Sequence, residues 1–210
     1  MLQQTQVDRV VPKYKAFVKR FPTPARLSTA SLSSVLRTWS GLGYNRRAKY
    51  LWEAAKMLKG DTLSPGSQGV ALEKLPGVGD YTAKAVRVFA FNIGENMIET
   101  NIRAVYLHHF FPRSRNVPDA RILPYMGVPK GIAPREWYAA LMDYGAYLKK
   151  KYPNPSRRSH HHTKQSAFKG SDREIRGAIL KAHLTGKRVR GFDPRRVREL
   201  RKKIRAEGFI

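Results

Sequence analysis

Apolar residues return at helical spacing along most of this chain and almost nowhere at the alternation a half-buried strand needs. Leu2, Val7, Val10, Val11, Tyr14, Phe17 and Val18 predict a helix over residues 1–20, with Pro12 predicting a kink or a break. Ser31 offers a side-chain cap to a helix whose apolar face is Val35, Leu36 and Trp39. Arg46 to Leu58 follows, with Ala48, Leu51, Trp52, Ala55 and Leu58 inward. Gly60 to Gly69 reads as a linker rich in Gly, Ser and Pro. A short helix ends at Leu75, and Ala83, Val86, Val88, Phe89 and Ala90 then give a mostly apolar one. Further helices are predicted from about Asn101 to Phe110, briefly within Asp119 to Tyr125, and from Pro134 to Leu148. The last has proline in its first turn and Trp137, Ala140, Leu141 and Tyr144 on one face. Residues 149–172 are polar, basic and proline-bearing, a linker or a loop draped on the core. Ser171-Asp-Arg-Glu174 has capping-box spacing ahead of Ile175, Ala178, Ile179 and Leu180. Asp193 or Pro194 opens a last helix carrying Val197, Leu200 and Ile204, and Gly208 to Ile210 reads as a terminal apolar strand. The fold class is all-α.

Charge changes this picture more than composition does. The 210 residues hold 41 Lys+Arg against 15 Asp+Glu, a formal charge of +26. Such an excess does little for folding and points to a polyanionic partner, nucleic acid before a membrane surface. No apolar run approaches a bilayer span and no signal peptide opens the chain, so the expected place is the cytoplasm or nucleoid. Hydrophobic content of 41% suits one sizeable domain with an appendage. Cysteine is absent, which removes disulfides and thiolate metal sites. His160, His161 and His162 are consecutive, so they converge poorly on one ion, and no carboxylate stands close in sequence. No metal and no cofactor are expected.

The stretch around Leu75-Pro-Gly-Val-Gly79 organises the chain. Pro76 cannot continue a helix, and Gly77 and Gly79 permit a tight turn. The result is a helix-hairpin-helix. Backbone N–H groups at the start of its second helix suit a phosphate, although a ligand-free corner has the same ingredients. Leu75 to Ala83, with Tyr-Thr-Ala after the glycines, resembles the hairpin of the helix-hairpin-helix DNA glycosylases, the endonuclease III superfamily. Met1-Leu-Gln-Gln-Thr-Gln-Val7 and Trp39-Ser-Gly-Leu-Gly-Tyr44-Asn-Arg-Arg-Ala48 resemble blocks of its MutY, or adenine glycosylase, branch. Leu141-Met-Asp-Tyr-Gly145 resembles a later one. Four blocks in the family's order cover roughly residues 1–148.

The resemblance implies a division of labour. Leu75, Gly77, Val78 and Gly79 would grip phosphate without reading sequence, with Lys84 and Arg87 nearby. Tyr44, in a glycine-rich loop, would enter the base stack, and Gln3 and Gln4 would meet base edges through their amides. Glu99, beside Asn101, occupies the place of the family's catalytic aspartate, where a carboxylate stabilises the positive charge that grows on the sugar. Glutamate keeps the charge and adds a methylene. Tyr81 stands where strand-cleaving relatives have lysine, so no Schiff base forms, water is the nucleophile and an abasic site is the product. The family's iron–sulfur cysteines are missing, and Lys149 to Arg158 occupies their place. Its adenine-protonating glutamate would precede Met1.

The reading is therefore a helix-hairpin-helix glycosylase core at 1–148, N-terminally incomplete, a basic linker at 149–172, and a basic helical segment at 173–210 that loosely resembles a winged helix. The expected function is monofunctional release of a mispaired or damaged base, adenine opposite 8-oxoguanine or guanine first, from double-stranded DNA, by a monomer. Two alternatives stand beside it: a catalytically inactive DNA-binding or lesion-sensing module, and a thymine/uracil mismatch glycosylase. The cationic run Arg188 to Arg205 is a solvated face or a second phosphate contact.

Overall fold

The computed structural model describes residues 1–3, 5–58, 71–164 and 166–210. Gln4 and the expected linker at 60–69 lie outside the described residues. The chain forms two compact units, Met1–Gly77 with Gln165–Ile210, and Val78–Lys164. Among the described residues there is no strand, and no helix is long and apolar enough to cross a membrane.

The first unit holds α1 (Val7–Arg20), α2 (Pro24–Ser28), α3 (Leu32–Trp39), α4 (Arg46–Leu58), a 3₁₀ turn (Leu72–Lys74), α8 (Asp172–Thr185) and α9 (Pro194–Ala206). Its core joins Phe17, Val35 and Trp39 to Ile175, Ile179, Leu200, Ile204 and Phe209. The basic C-terminal helices thus share a core with the N-terminal ones, and the boundaries of compactness fall elsewhere than at 148 and 172. A physical reason is plain: α8 and α9 each have one apolar face too small to fold alone. Phe209 is buried, but as irregular chain after α9, without the expected strand pairing.

Local signals were met unevenly. Ser31 caps α3, its hydroxyl accepting the Ser34 N–H at 3.2 Å. The first helix starts at Val7, later than its apolar spacing suggests. Met1 and Gln3 are drawn aside by the Arg47 guanidinium, which donates to their carbonyls at 2.9 Å and 2.6 Å. Pro12 sits inside α1 without breaking it. It is exposed, so the carbonyl its missing N–H leaves unpaired faces water. Leu51 was expected inward and is 41% exposed. The capping box expected at Ser171 is not made: the Ser171 hydroxyl donates to Phe168 O instead of capping α8, and Glu174 accepts from Gly170 N at 2.7 Å, one residue before the N-cap.

The second unit holds α5 (Asp80–Phe91), α6 (Thr100–His109), two 3₁₀ turns (Asp119–Arg121 and Leu123–Tyr125), α7 (Pro134–Lys151) and a further 3₁₀ turn (Pro155–Arg158). α6 is its axis: Ile102, Ala104, Val105, Tyr106 and Leu107 are all buried. α7 turns Tyr138, Leu141, Gly145 and Leu148 inward, a face rotated in part from the expected one: Leu141 is buried and Trp137 packs partly buried against this core, but Ala140 and Tyr144 are exposed. Gly145 explains the rotation. A Cβ there would lie 2.1 Å from the Asn101 carbonyl oxygen, so only glycine lets the two helices meet. The basic segment after α7 is strapped to this core. Ser156 donates to Thr100 O at 2.7 Å, and Arg158 donates to Leu107 O at 2.5 Å and Pro112 O at 2.7 Å. Residues that would otherwise be a polar linker thus close the end of the unit.

Candidate functional site

Glu99 is the N-cap of α6. Its Oε1 accepts the N–H groups of Asn101 at 2.5 Å and Ile102 at 2.9 Å. The helix dipole favours a carboxylate here, and both bonds fix its orientation. Since one oxygen takes both cap bonds, the other keeps lone pairs for a ligand. Asn101, the next candidate residue, has its backbone under Gly145, and Ser156 holds the carbonyl of Thr100. Three contacts thus set the position of the helix end that carries Glu99.

Tyr81 stands beside it on α5. Burial first, and the Glu99 carboxylate second, push its phenol above the ordinary tyrosine value, so it stays neutral and able to donate. The structure therefore brings together the two residues expected to govern chemistry. Gly79 is the N-cap of α5, extended at φ −90°, with open space where a Cβ would be. Lys84, one turn on, pairs with Asp80 at 2.8 Å, and Arg87 pairs with Glu95 at 3.3 Å. Both cations have carboxylate partners as well as any phosphate they would meet.

Leu75, Gly77, Gln3 and Tyr44 belong to the first unit, Val78 to the second. Leu75 is 6% exposed, so its side chain anchors the turn and only its backbone is placed to touch a ligand. Gly77 is required twice over: its φ is +74°, and a Cβ would lie 2.3 Å from the Tyr50 ring. Tyr44 follows two left-handed glycines and is itself left-handed at φ +48°. Its ring is 40% exposed rather than folded into the core. The Arg47 guanidinium lies 5.5 Å from its centroid, and Arg173 on α8 donates to its hydroxyl at 3.1 Å. Gln3 is exposed. Gln4 lies outside the described residues.

Arg47, Gly145, Ser156, Arg158 and Arg173 were not singled out in the sequence. Arg47 and Gly145 sit inside the quoted blocks, but the contacts that give them their use reach far along the chain, Arg47 to the Met1 and Gln3 carbonyls and Gly145 to the Asn101 backbone. The three histidines have one carboxylate within reach, and no group of three or more potential metal ligands stands among the described residues. His161 Nε2 lies 3.9 Å from the Asp119 carboxylate, so a carboxylate does stand close in the fold, where Arg103 holds it with two bonds of 2.7 Å.

A hairpin leading into one helix, and a capping acid at the next beside a neutral tyrosine, describe a class. Residues 1–204 match the model of the HhH-GPD superfamily of base excision DNA repair proteins, and the chain belongs to that family. Among individual relatives, the adenine DNA glycosylase of Mycobacterium tuberculosis is 33% identical over 207 residues, covering 86% of this chain and 66% of that protein. That of Buchnera aphidicola is 43% identical over 112 residues, covering 52% and 32%. The human adenine DNA glycosylase is 36% identical over 107 residues, covering 50% and 20%. The chain thus spans between a fifth and two thirds of these relatives' length. The solved structure of a thermostable thymine-DNA glycosylase matches with TM-score 0.45 at 20% identity, over 75% of this chain and 65% of that one.

Proposed function

We propose that this chain carries the base-releasing part of a monofunctional DNA glycosylase, acting as a monomer on double-stranded DNA at the nucleoid, with adenine opposite 8-oxoguanine or guanine as its substrate. The family and the adenine glycosylase relatives support the reaction class. The observation that carries the reading within the chain is Glu99, fixed at the start of α6 beside Tyr81.

In the proposed reaction the bond between sugar C1′ and the base nitrogen breaks, and its electron pair leaves with the base, which takes up a proton. The sugar becomes cationic. A carboxylate held in place by two backbone N–H groups stabilises that charge without having to reorganise. Water then gives C1′ a hydroxyl and loses its proton. Tyr81 has no amine, so the product is an abasic site with an intact strand. Leu75 to Gly79 would hold the backbone, and Tyr44 would fill the space the base vacates.

A second reading has its own observation. The cap bonds alone account for the Glu99 carboxylate, which suits a chain that binds lesions without cleaving. Glu99→Gln and Glu99→Asp separate the two, assayed on a duplex with adenine opposite 8-oxoguanine by alkali-revealed cleavage. The chain is tested as it stands and in a form extended upstream. The glycosylase reading expects Gln to abolish release and keep binding, while Asp, the family's shorter acid and a better cap, keeps release. No strand should break before alkali, and borohydride should trap nothing. Release by Glu99→Gln at the wild-type rate would end the catalytic assignment. Binding without release in every form would put the lesion-binding module in its place.

A further inference from the structure

The first unit has a cationic face that neither the hairpin nor Glu99 employs. α9 is two-sided: Val197, Leu200 and Ile204 turn toward the core. Arg198, Arg201, Lys202 and Arg205, at i, i+3, i+4 and i+7, form one exposed stripe. Arg201 and Arg205 continue into a cleft of about 320 Å³ that Lys187 and His183 of the α8 end also line, with no Asp or Glu side chain.

The acids of this segment are engaged elsewhere. Asp172 and Glu199 bind Arg196 at 2.5 and 2.8 Å. Glu207 binds Arg176 at 2.6 Å and Arg46 at 3.2 Å. Asp193 accepts from Arg195 N at 2.9 Å, and Glu174 accepts from Gly170 N at 2.7 Å. The stripe is left with one sign. Like charges four apart on a helix repel, as Arg198 does Lys202 and Arg201 does Arg205. A polyanion relieves that repulsion. From Arg198 to Arg205 the stripe runs about 10 Å at 1.5 Å per residue. One strand of a duplex presents about three phosphates over that length.

We propose that the α8–α9 face is a second nucleic-acid contact, which holds the phosphodiester backbone of DNA without reading its bases. A lipid surface fits it less well: among the described residues of α8 and α9 no large hydrophobic side chain is exposed for insertion, and Phe168, the nearest exposed one at 60%, lines a different hollow with Gly177 and Leu180 and not the cationic cleft. The glycosylase reading enters only in the choice of polyanion.

The test is the salt dependence of binding to an undamaged duplex. Arg201→Gln/Lys202→Gln/Arg205→Gln is compared with Lys15→Gln/Lys19→Gln/Arg26→Gln, which removes the same charge from α1 and α2. All six side chains are exposed, so circular dichroism and Tm should match wild type. The α9 triple should flatten the log–log slope by about 0.9 per lost phosphate contact, up to roughly 2.7, and equally on unrelated sequences. The control should change it far less. An unchanged slope, or equal flattening by both triples, overturns the proposal. Loss of binding to phosphatidylserine vesicles with the duplex slope intact would assign the face to membranes instead. Base release measured alongside keeps the two ideas apart. A flattened slope with no release in any form retires the glycosylase reading and leaves this face standing, and release with an unflattened slope does the reverse.

Discussion

α6 and α9 are helices of ten and thirteen residues with opposite construction. α6 buries five residues around most of its circumference and is held at its start by Glu99 and Ser156 and near its end by Arg158. α9 buries only Leu200 and Ile204 and gives its other faces to arginine and lysine. A helix enclosed this way has one position, and whatever it carries at its tip inherits that position. A helix attached by one stripe contributes its charge, which acts over a Debye length of about 10 Å and tolerates small displacements. The first design suits a carboxylate that must meet a particular carbon, the second a backbone that looks alike at every step.

Two glycines offer the sharpest way to break this contrast. Gly145 faces α6, and an alanine Cβ would meet backbone atoms of Asn101 at 2.1, 2.5 and 2.8 Å. Backbone cannot swing aside as a side chain can. Gly145→Ala should cost about 3 kcal/mol or more in urea unfolding and displace the Glu99 cap. Gly177 lies within α8, with nothing within 4 Å of a built Cβ. Gly177→Ala should stabilise by about 0.4–1 kcal/mol, since it relieves helical glycine of its excess entropy. If both substitutions were equally mild, α6 would not be a constrained element.

A smaller effect is expected at the strap. Ser156 is 2% exposed and satisfies the Thr100 carbonyl. Ser156→Ala should cost about 1–2 kcal/mol, the loss of one buried hydrogen bond. Arg158→Met should cost about 2–3 kcal/mol, because two carbonyls lose a charged donor. Removing Arg201 from α9 should stay within about 0.5 kcal/mol of wild type. A loss at Arg201 as large as that at Arg158 would erase the distinction between the two helices.

What could be read in the sequence follows the range of the physics. Ser31 as a cap and Pro134 at a helix start depend on residues within one turn, and both stand as expected. The hairpin was legible for the same reason, since Gly77 carries its positive φ in its own type. The inward face of α7 was legible only in part, at Leu141 and Trp137. Its rotation is set by α6 meeting Gly145, and hydrophobicity alone ranks Trp137 and Tyr144 above glycine. The pairing of Tyr44 with Arg173 bridges 129 residues, and no local pattern in an arginine-rich chain selects one arginine among many. For the same reason residues 149–172 looked like a linker: Ser156 and Arg158 show their use only once the carbonyls of Thr100 and Leu107 are in place.

The smallest expected effect is on pH dependence, and it separates the two helices by sign. Tyr106 on α6 is raised above its ordinary value by burial first and by Tyr138 second. Tyr138 on α7 is raised by burial as well. A raised tyrosine favours the folded state in its protonated form. That contribution is full below the unfolded value of 10.0 and disappears as pH climbs through the folded one. Glu207, the C-cap of α9, behaves oppositely. Burial alone would raise it, but the hydrogen bonds and charges of Arg176 and Arg46 outweigh burial and hold it low. Its contribution is present above the unfolded value of 4.5 and is lost as pH falls through the folded one. Urea unfolding across pH should therefore show two limbs with different owners. Tyr106→Phe should flatten the alkaline limb and leave the acid limb alone, and Glu207→Gln should do the reverse. If Tyr106→Phe left the alkaline limb as steep as before, burial around α6 would be weaker than its packing indicates. Should Glu207→Gln alter both limbs, the cap of α9 would be coupled to more than its two arginines.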